Sequence, residues 1–260
     1  MSRMVDNRRA MFRFYAELND FLREEDRFRA TIVDFNGRQT VKHLAESMGV
    51  PHPEIDLIVA NGQSVGFDYI VQDGDSLSIY PVFERIDIQP INHLRPTPLR
   101  ETRFVLDGHV GRLAAYLRML GFDTDYENER DDALLAAISS QEKRILLTRD
   151  RGLLKRKQVR RGYCLRSKDS YQQLLEIVTQ FDLVRQIDPF TRCMACNGRL
   201  QAVEKEAILD KLESRTKRYI DDFKQCGVCG KVYWRGTHTD RMERLIARLW
   251  FDLKKMRFGK

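Results

Sequence analysis

Two Cys-x-x-Cys pairs, Cys193-Met-Ala-Cys196 and Cys226-Gly-Val-Cys229, hold four of the five cysteines in the 260-residue chain. Four thiolates complete the tetrahedral shell of Zn²⁺, and a two-residue gap lets each pair grip one edge of the ion. Gly230 follows the second pair, the usual shape of a knuckle. A closed, structural zinc ribbon is therefore expected; two disulfides or a redox dithiol are the alternatives.

A second set of residues points to different chemistry. Asp107 directly follows the apolar run Phe104-Val-Leu106, and Asp150 follows Ile145-Leu-Leu-Thr148 with Arg149 between. Asp131 and Asp132 open a helical stretch, and Asp169 comes shortly after Tyr163-Cys-Leu165. In a parallel α/β sheet the reactive groups gather at the carboxyl ends of the strands. These distant acids are thus expected on one rim. Clustered carboxylates raise each other's pKa unless a cation sits among them. Hard oxygen ligands with open positions suit magnesium or manganese, which can activate water and neutralise a phosphate. A plainer role exists for Asp131, Asp132 and Asp169, which could only cap helices.

The same region is densely basic. From Lys143 to Lys168 there are eleven Lys and Arg residues, and Asp150 is the only acid. A one-sided run beside candidate metal ligands favours phosphate-backbone binding. Arg149, Arg151, Lys155, Arg156, Lys157, Arg160 and Arg161 are the expected nucleic-acid contacts, with Arg112 and Arg118 as additions from the preceding helix. Tyr233-Trp234-Arg235, beside the second knuckle, offers rings and a guanidinium for stacking on unpaired bases, although packing inside the ribbon accounts equally well for Tyr233 or Trp234.

Net charge is +7, yet residues 12–86 carry 7 basic and 13 acidic side chains, so the surplus lies in the remainder of the chain. That asymmetry suggests a polyanionic partner. No basic amphipathic helix of the interfacial kind, no bilayer-length apolar run and no apolar stretch in Met1–Ala10 argue against a membrane or a signal peptide. A cytoplasmic protein with reduced thiols is expected. The fifth cysteine, Cys164, reads as a small buried apolar residue.

These residues need elements to position them. Within 11–86, strand-like segments, a short helix capped by Thr40 and stopped by Gly49, a turn at Asn61-Gly62 and an alternating run Leu77–Tyr80 give a small α+β domain. Its order looks like a ubiquitin-like β-grasp. Sulfur carriers of that shape act through a free Gly-Gly terminus, whereas here Tyr80-Pro81-Val82-Phe83-Glu84 continues into further chain. A recognition or regulatory module, with a protein partner, remains. Residues 87–101, with Pro90, Pro96 and Pro98, read as an extended linker. Residues 102–188 alternate strand and helix and predict a parallel sheet with helices on both faces. Residues 189–260 are the zinc ribbon with a helix from Asp240 to Phe258, whose stripe Met242, Leu245, Ile246, Leu249, Trp250 and Leu253 should dock on another domain.

Three stretches together resemble the Mut-seven-C ribonuclease family: Phe104–Thr124, Leu147–Leu154 and Cys226–His238. That family joins a PIN-like nuclease domain to a zinc ribbon, and many members carry a ubiquitin-like domain in front. The resemblance implies an α/β, PIN-like parallel-sheet domain between a β-grasp domain and a ribbon. It also implies metal-dependent RNA cleavage, with Asp107, Asp150 and an acid of the Asp131-Asp132 pair, Asp132 being preferred, as ligands to Mg or Mn. Asp169 is the nearest candidate for a fourth acid. His238 falls in the tail motif and is expected to contact RNA or support the ribbon. The expected protein is a Mg- or Mn-dependent ribonuclease acting on single-stranded or structured RNA, with tRNA and rRNA among the candidates. Its rivals are a non-catalytic RNA-binding or ribosome-associated module, and a DNA-directed nuclease.

Overall fold

Strand β1 spans Asn7–Phe14 and alternates exposed and buried positions, with Ala10, Phe12 and Phe14 turned inward. In this computed structural model residues 7–81, Leu94 and residues 102–258 are described, without the side chains of residues 237–238 and 257–258. Residues 82–86 and the expected linker therefore lie outside the described residues, except for Leu94. The chain forms two compact units, Met1–Glu101 with Asp131–Cys164, and Thr102–Arg130 with Leu165–Lys260.

Strand β2 is Ala30–Asn36, helix α1 Val41–Ser47, β3 Ile55–Ala60, β4 Gln63–Val65 and β5 Ser76–Pro81. Their sheet runs β2-β1-β5-β3-β4. The central pair β1–β5 is parallel and the other pairings are antiparallel. Thr40 caps α1 by accepting from the His43 N–H, and Gly49 ends it at φ +106°. Asn61 and Gly62 both have positive φ, which joins β3 to β4 by a tight hairpin. Phe12, Leu18, Val41, Ala45, Ile55, Ile58, Leu77 and Ile79 fill the core. Strand β1 is described from Asn7 onward, ahead of residue 11. Arg9 and Arg13 lie on β1's exposed face, and with Arg8 they keep the strand's first residues from reading as an apolar run.

Strand β6 (Arg103–Leu106) leads through a 3-10 turn, Gly108–Val110, into helix α2 (Gly111–Met119). Gly121, at φ +96°, ends that helix. Strand β7 (Asp123–Tyr126) then pairs parallel to β6. This strand was not legible beforehand, since Asp-Thr-Asp-Tyr has no apolar run.

Helix α3 spans Asp132–Gln141, strand β8 Ile145–Thr148, the single turn α4 Arg151–Leu154 and strand β9 Gly162–Cys164. Strands β8 and β9 pair in parallel. Leu135, Ala136, Leu146, Leu147, Leu153 and Leu154 are almost wholly buried here. Cys164 is also buried, as expected.

Helix α5 spans Ser170–Gln180. Phe104 meets Phe122 and Phe181 edge-on, each at 6.1 Å between ring centres. Beyond it come β10 (Leu200–Val203), helix α6 (Ser214–Tyr219), β11 (Phe223–Cys226), β12 (Val232–Trp234) and helix α7 (Thr237–Phe258). β10, β11 and β12 form an antiparallel sheet over a small core of Ile208, Leu212 and Phe223. Of the stripe on α7, Ile246 and Leu249 are buried and Trp250 is exposed. Tyr171 of α5 donates to Asp252 at 2.6 Å and lies under Arg248, so α7 docks on α5.

Candidate functional site

The four cysteines of the two knuckles converge, all ligand sulfurs lying within 4.8 Å of one another. Cys193 Sγ is 3.6 Å from Cys229 Sγ, and Cys196 Sγ is 3.4 Å from Cys226 Sγ. On a tetrahedral zinc with bonds of about 2.3 Å, sulfurs sit about 3.8 Å apart. Donor set and spacing therefore fit a closed Cys₄ zinc site. Burial opposes the Cys193 thiolate, but hydrogen bonds from the Tyr233 hydroxyl and the N–H groups of Cys196 and Ala195 win and pull it down to about 6. Burial, helped by the neighbouring sulfurs, pushes Cys196 up to about 12.

The first knuckle is fastened to β7 by three polar side chains. Arg118, only 4% exposed, donates to the carbonyls of Thr124, Met194 and Ala195 at 2.9–3.1 Å. Asn197 accepts from the Thr124 N–H and donates to Asp123, and Arg192 donates to Asp123 and to the Gly121 and Asn197 carbonyls. Arg118 was expected to add to a phosphate-binding surface. Burial and these bonds exclude that role.

Four of the five candidate acids cap backbone N–H groups, and Asp132 is the exception. In one unit, Asp107 leaves the end of β6 and accepts from the His109 N–H at 3.0 Å. The Asp107 turn is tight: a Cβ on Gly108 would lie 2.3 Å from the Asn128 carbonyl oxygen, and one on Gly111 would lie 2.3 Å from the Tyr126 hydroxyl. Asp169, in the same unit, caps α5 through Tyr171 and Gln172. In the other unit, Asp131 caps α3 through Leu134 at 2.8 Å. Asp132 sits in its first turn, 3.4 Å from Arg156. Asp150 caps α4, its Oδ1 accepting from Gly152 at 2.6 Å and Leu153 at 3.3 Å. Asp131 and Asp150 remain exposed. The tight packing of Gly108 and Gly111 was missed from sequence, although the Asp-Gly-x-x-Gly spacing carried it.

Arg112, Arg149, Arg156, Lys157, Arg160, Trp234 and Arg235 are exposed, and Arg161 is half-buried. Arg151 and Lys155 are engaged by residues of the β-grasp domain. The Arg151 guanidinium lies 4.9 Å from the Phe21 ring centre, and Lys155 donates to the Glu46 carbonyl at 2.7 Å. The His238 side chain lies outside the described residues.

A family model described as "Mut7-C RNAse domain" matches residues 102–246, more than half of the chain. The chain belongs to the Mut7-C RNAse domain family. A second model, "Mut7-C ubiquitin", matches residues 7–87, the stretch that carries the β-grasp sheet. The human protein named "Exonuclease mut-7 homolog" is 38% identical over 106 residues, which take in 38% of this chain and 12% of the human one. The chain thus spans a small fraction of that relative's length. No solved structure matches. The Mut7-C match includes all five candidate acids and all four zinc-site cysteines. It ends inside α7, so the last turns of that helix lie beyond it.

Proposed function

We propose that this Mut7-C chain is a Mg- or Mn-dependent ribonuclease, with a PIN-like domain over residues 102–188, working in the cytoplasm. The observation that carries the reading is the Mut7-C RNAse match across residues 102–246, which contains an acid just after β6, Asp107, and another just after β8, Asp150. Asp107, Asp150 and Asp132 would hold the ion, and Asp131 and Asp169 cap the starts of α3 and α5. A divalent cation there supplies Lewis acidity toward the phosphate and activation of water.

The chain's own residues do the rest. Asp150 spends Oδ1 on two N–H groups, which fixes the carboxylate plane and presents Oδ2. The Asp132–Arg156 pair is near half-exposed on both sides, so opening it to serve an ion or a phosphate costs at most about 1 kcal/mol. Arg149, Arg156, Lys157 and Arg160 bind the RNA backbone, and Trp234 with Arg235 stacks on unpaired bases. The zinc ribbon is structural.

Replacing Asp107 or Asp150 with Asn should cut RNA cleavage by at least the ~10²–10³-fold typical of losing one electrostatic group from an active site. RNA affinity should hold or rise, because a negative charge near phosphates is removed. Undiminished cleavage by both variants sinks the mechanism.

One observation favours a second reading, a non-catalytic RNA-binding module: all five acids have a helix-start position, and four of them accept cap bonds. Incubating RNA with the protein, with and without chelator, separates the two. Binding without metal-dependent RNA loss selects the module.

A further inference from the structure

The stretch from Arg151 to Cys164 is held by the β-grasp domain at four places, two at the α4 turn itself and two beyond it. Arg151 spans the Phe21 ring and donates to the Asp20 and Phe21 carbonyls at 3.4 Å. Lys155 donates to the Glu46 carbonyl at 2.7 Å. His52, only 5% exposed, donates from Nε2 to the Val159 carbonyl at 2.8 Å, while its Nδ1 lies 2.7 Å from Glu46 Oε1. The buried Glu54 carboxylate accepts from the Cys164 N–H.

The grip falls on a weak element. Helix α4 has four residues, Arg151–Leu154, far below the length at which a helix holds itself in water. Its geometry must therefore come from outside: from the buried Leu153 and Leu154 beneath it, the Asp150 cap at its start, and the β-grasp contacts around it. The carboxylate that caps this turn is oriented by the turn's own N–H groups. Whatever fixes the turn fixes the acid.

We propose that the β-grasp domain is a positioning clamp for Asp150: through Phe21, Glu46, His52 and Glu54 it locks the α4 turn and so pre-orients a ligand of the divalent ion. The proposal rests on the reading of Asp150 as a metal ligand. It assigns the domain a part in metal affinity, acting in cis, and makes Arg151 and Lys155 clamp residues in place of RNA contacts. Phe21, His52 and Lys155 are positioning residues, because they act through the α4 turn.

The test uses the 260-residue, zinc-loaded protein and measures Mn²⁺ binding by the loss of the free-ion electron paramagnetic resonance signal, without RNA. The Mn²⁺ concentration for half-maximal cleavage is measured alongside. F21L/H52Q loosens the clamp from the β-grasp side and K155M from the other side. Each should weaken Mn²⁺ binding by about the 10–100-fold seen when a ligand's supporting partner is lost. Cleavage should recover at saturating Mn²⁺, which a merely unfolded enzyme would not do. F21Y keeps the ring face and should bind Mn²⁺ like the parent. Should F21L/H52Q fail to fold, K155M decides alone. Unchanged Mn²⁺ affinity in the folded clamp variants overturns the proposal. D150N separates the two ideas: if it leaves Mn²⁺ binding intact, Asp150 is no ligand, whereas a clear loss in D150N with none in the clamp variants sinks the clamp alone.

Discussion

At the scale of single residues, two positions do work that residue type alone conceals. Arg118, on the helix that precedes the basic run, was expected to add to a phosphate-binding surface. Buried at 4% exposure, it instead satisfies the carbonyls of Thr124, Met194 and Ala195. Burial lowers its pKa, while Asp125, Cys196 and Cys193 favour its charged form. Methionine there keeps the stem but leaves buried acceptors unmatched, and bonds to a charged donor contribute about 1.5–3 kcal/mol each. R118M should lose about 3 kcal/mol or more of stability, read from denaturant unfolding; a shift under 1 kcal/mol would show that water replaces the guanidinium. Gly111 is the opposite case. Alanine normally favours a helix over glycine by about 1 kcal/mol. Here its Cβ would meet the Tyr126 hydroxyl at 2.3 Å, and overpacking costs about 1–3 kcal/mol. G111A should therefore destabilise, and a rise in melting temperature would refute the contact.

At the scale of elements, the ribbon depends on its metal. Its core is Ile208, Leu212 and Phe223, with Val203, Ile220 and Val232 partly buried against it. So few side chains cannot offset the entropy of ordering three short strands. Zinc binding in such units contributes about 10–16 kcal/mol. C193S should lose zinc and expose β10, β11 and β12 to hydrogen exchange, while β1–β5 stay protected. Retained zinc stoichiometry would contradict the four-cysteine shell. Thiolates are the ligands, so protons compete with metal, and zinc should leave as pH falls.

The same scale shows what a sequence can and cannot reveal. The four-cysteine cluster, Thr40 as a cap, Gly49 and Gly121 as stops and the β8 run were legible, because each depends on local spacing or one residue's backbone freedom. β7 was not. It is rich in acids, and what makes it a strand is pairing with β6 together with the Arg118, Asn197 and Arg192 bonds, all of them tertiary. The grip on α4 was equally hidden, since contacts between residues 109 apart, such as Lys155 with Glu46, leave no trace in local pattern. The caps of Asp131 and Asp169 were legible from their place before helices, while those of Asp107 and Asp150 were not.

At the scale of the whole molecule, the uneven charge makes a quantitative claim. A net of +7 with residues 12–86 acidic leaves the remainder strongly basic, and no described helix is long and apolar enough to cross a membrane. If the exposed run Arg149, Arg156, Lys157 and Arg160 meets a single-stranded RNA backbone, binding should weaken linearly on a double-logarithmic salt plot, by about 0.7 per phosphate neutralised. Neutralising three cations, R156Q/K157Q/R160Q, should then lower the slope by about 2. Arg156 is already paired with Asp132, so its share is the smallest, and the single variant R156Q should move the slope less than K157Q. K155M should leave the slope unchanged, because its ammonium is spent on the Glu46 carbonyl. Equal effects from K155M and K157Q would mean that Lys155 leaves its carbonyl to bind RNA, and that the nucleic acid competes with the β-grasp domain for the same side chain.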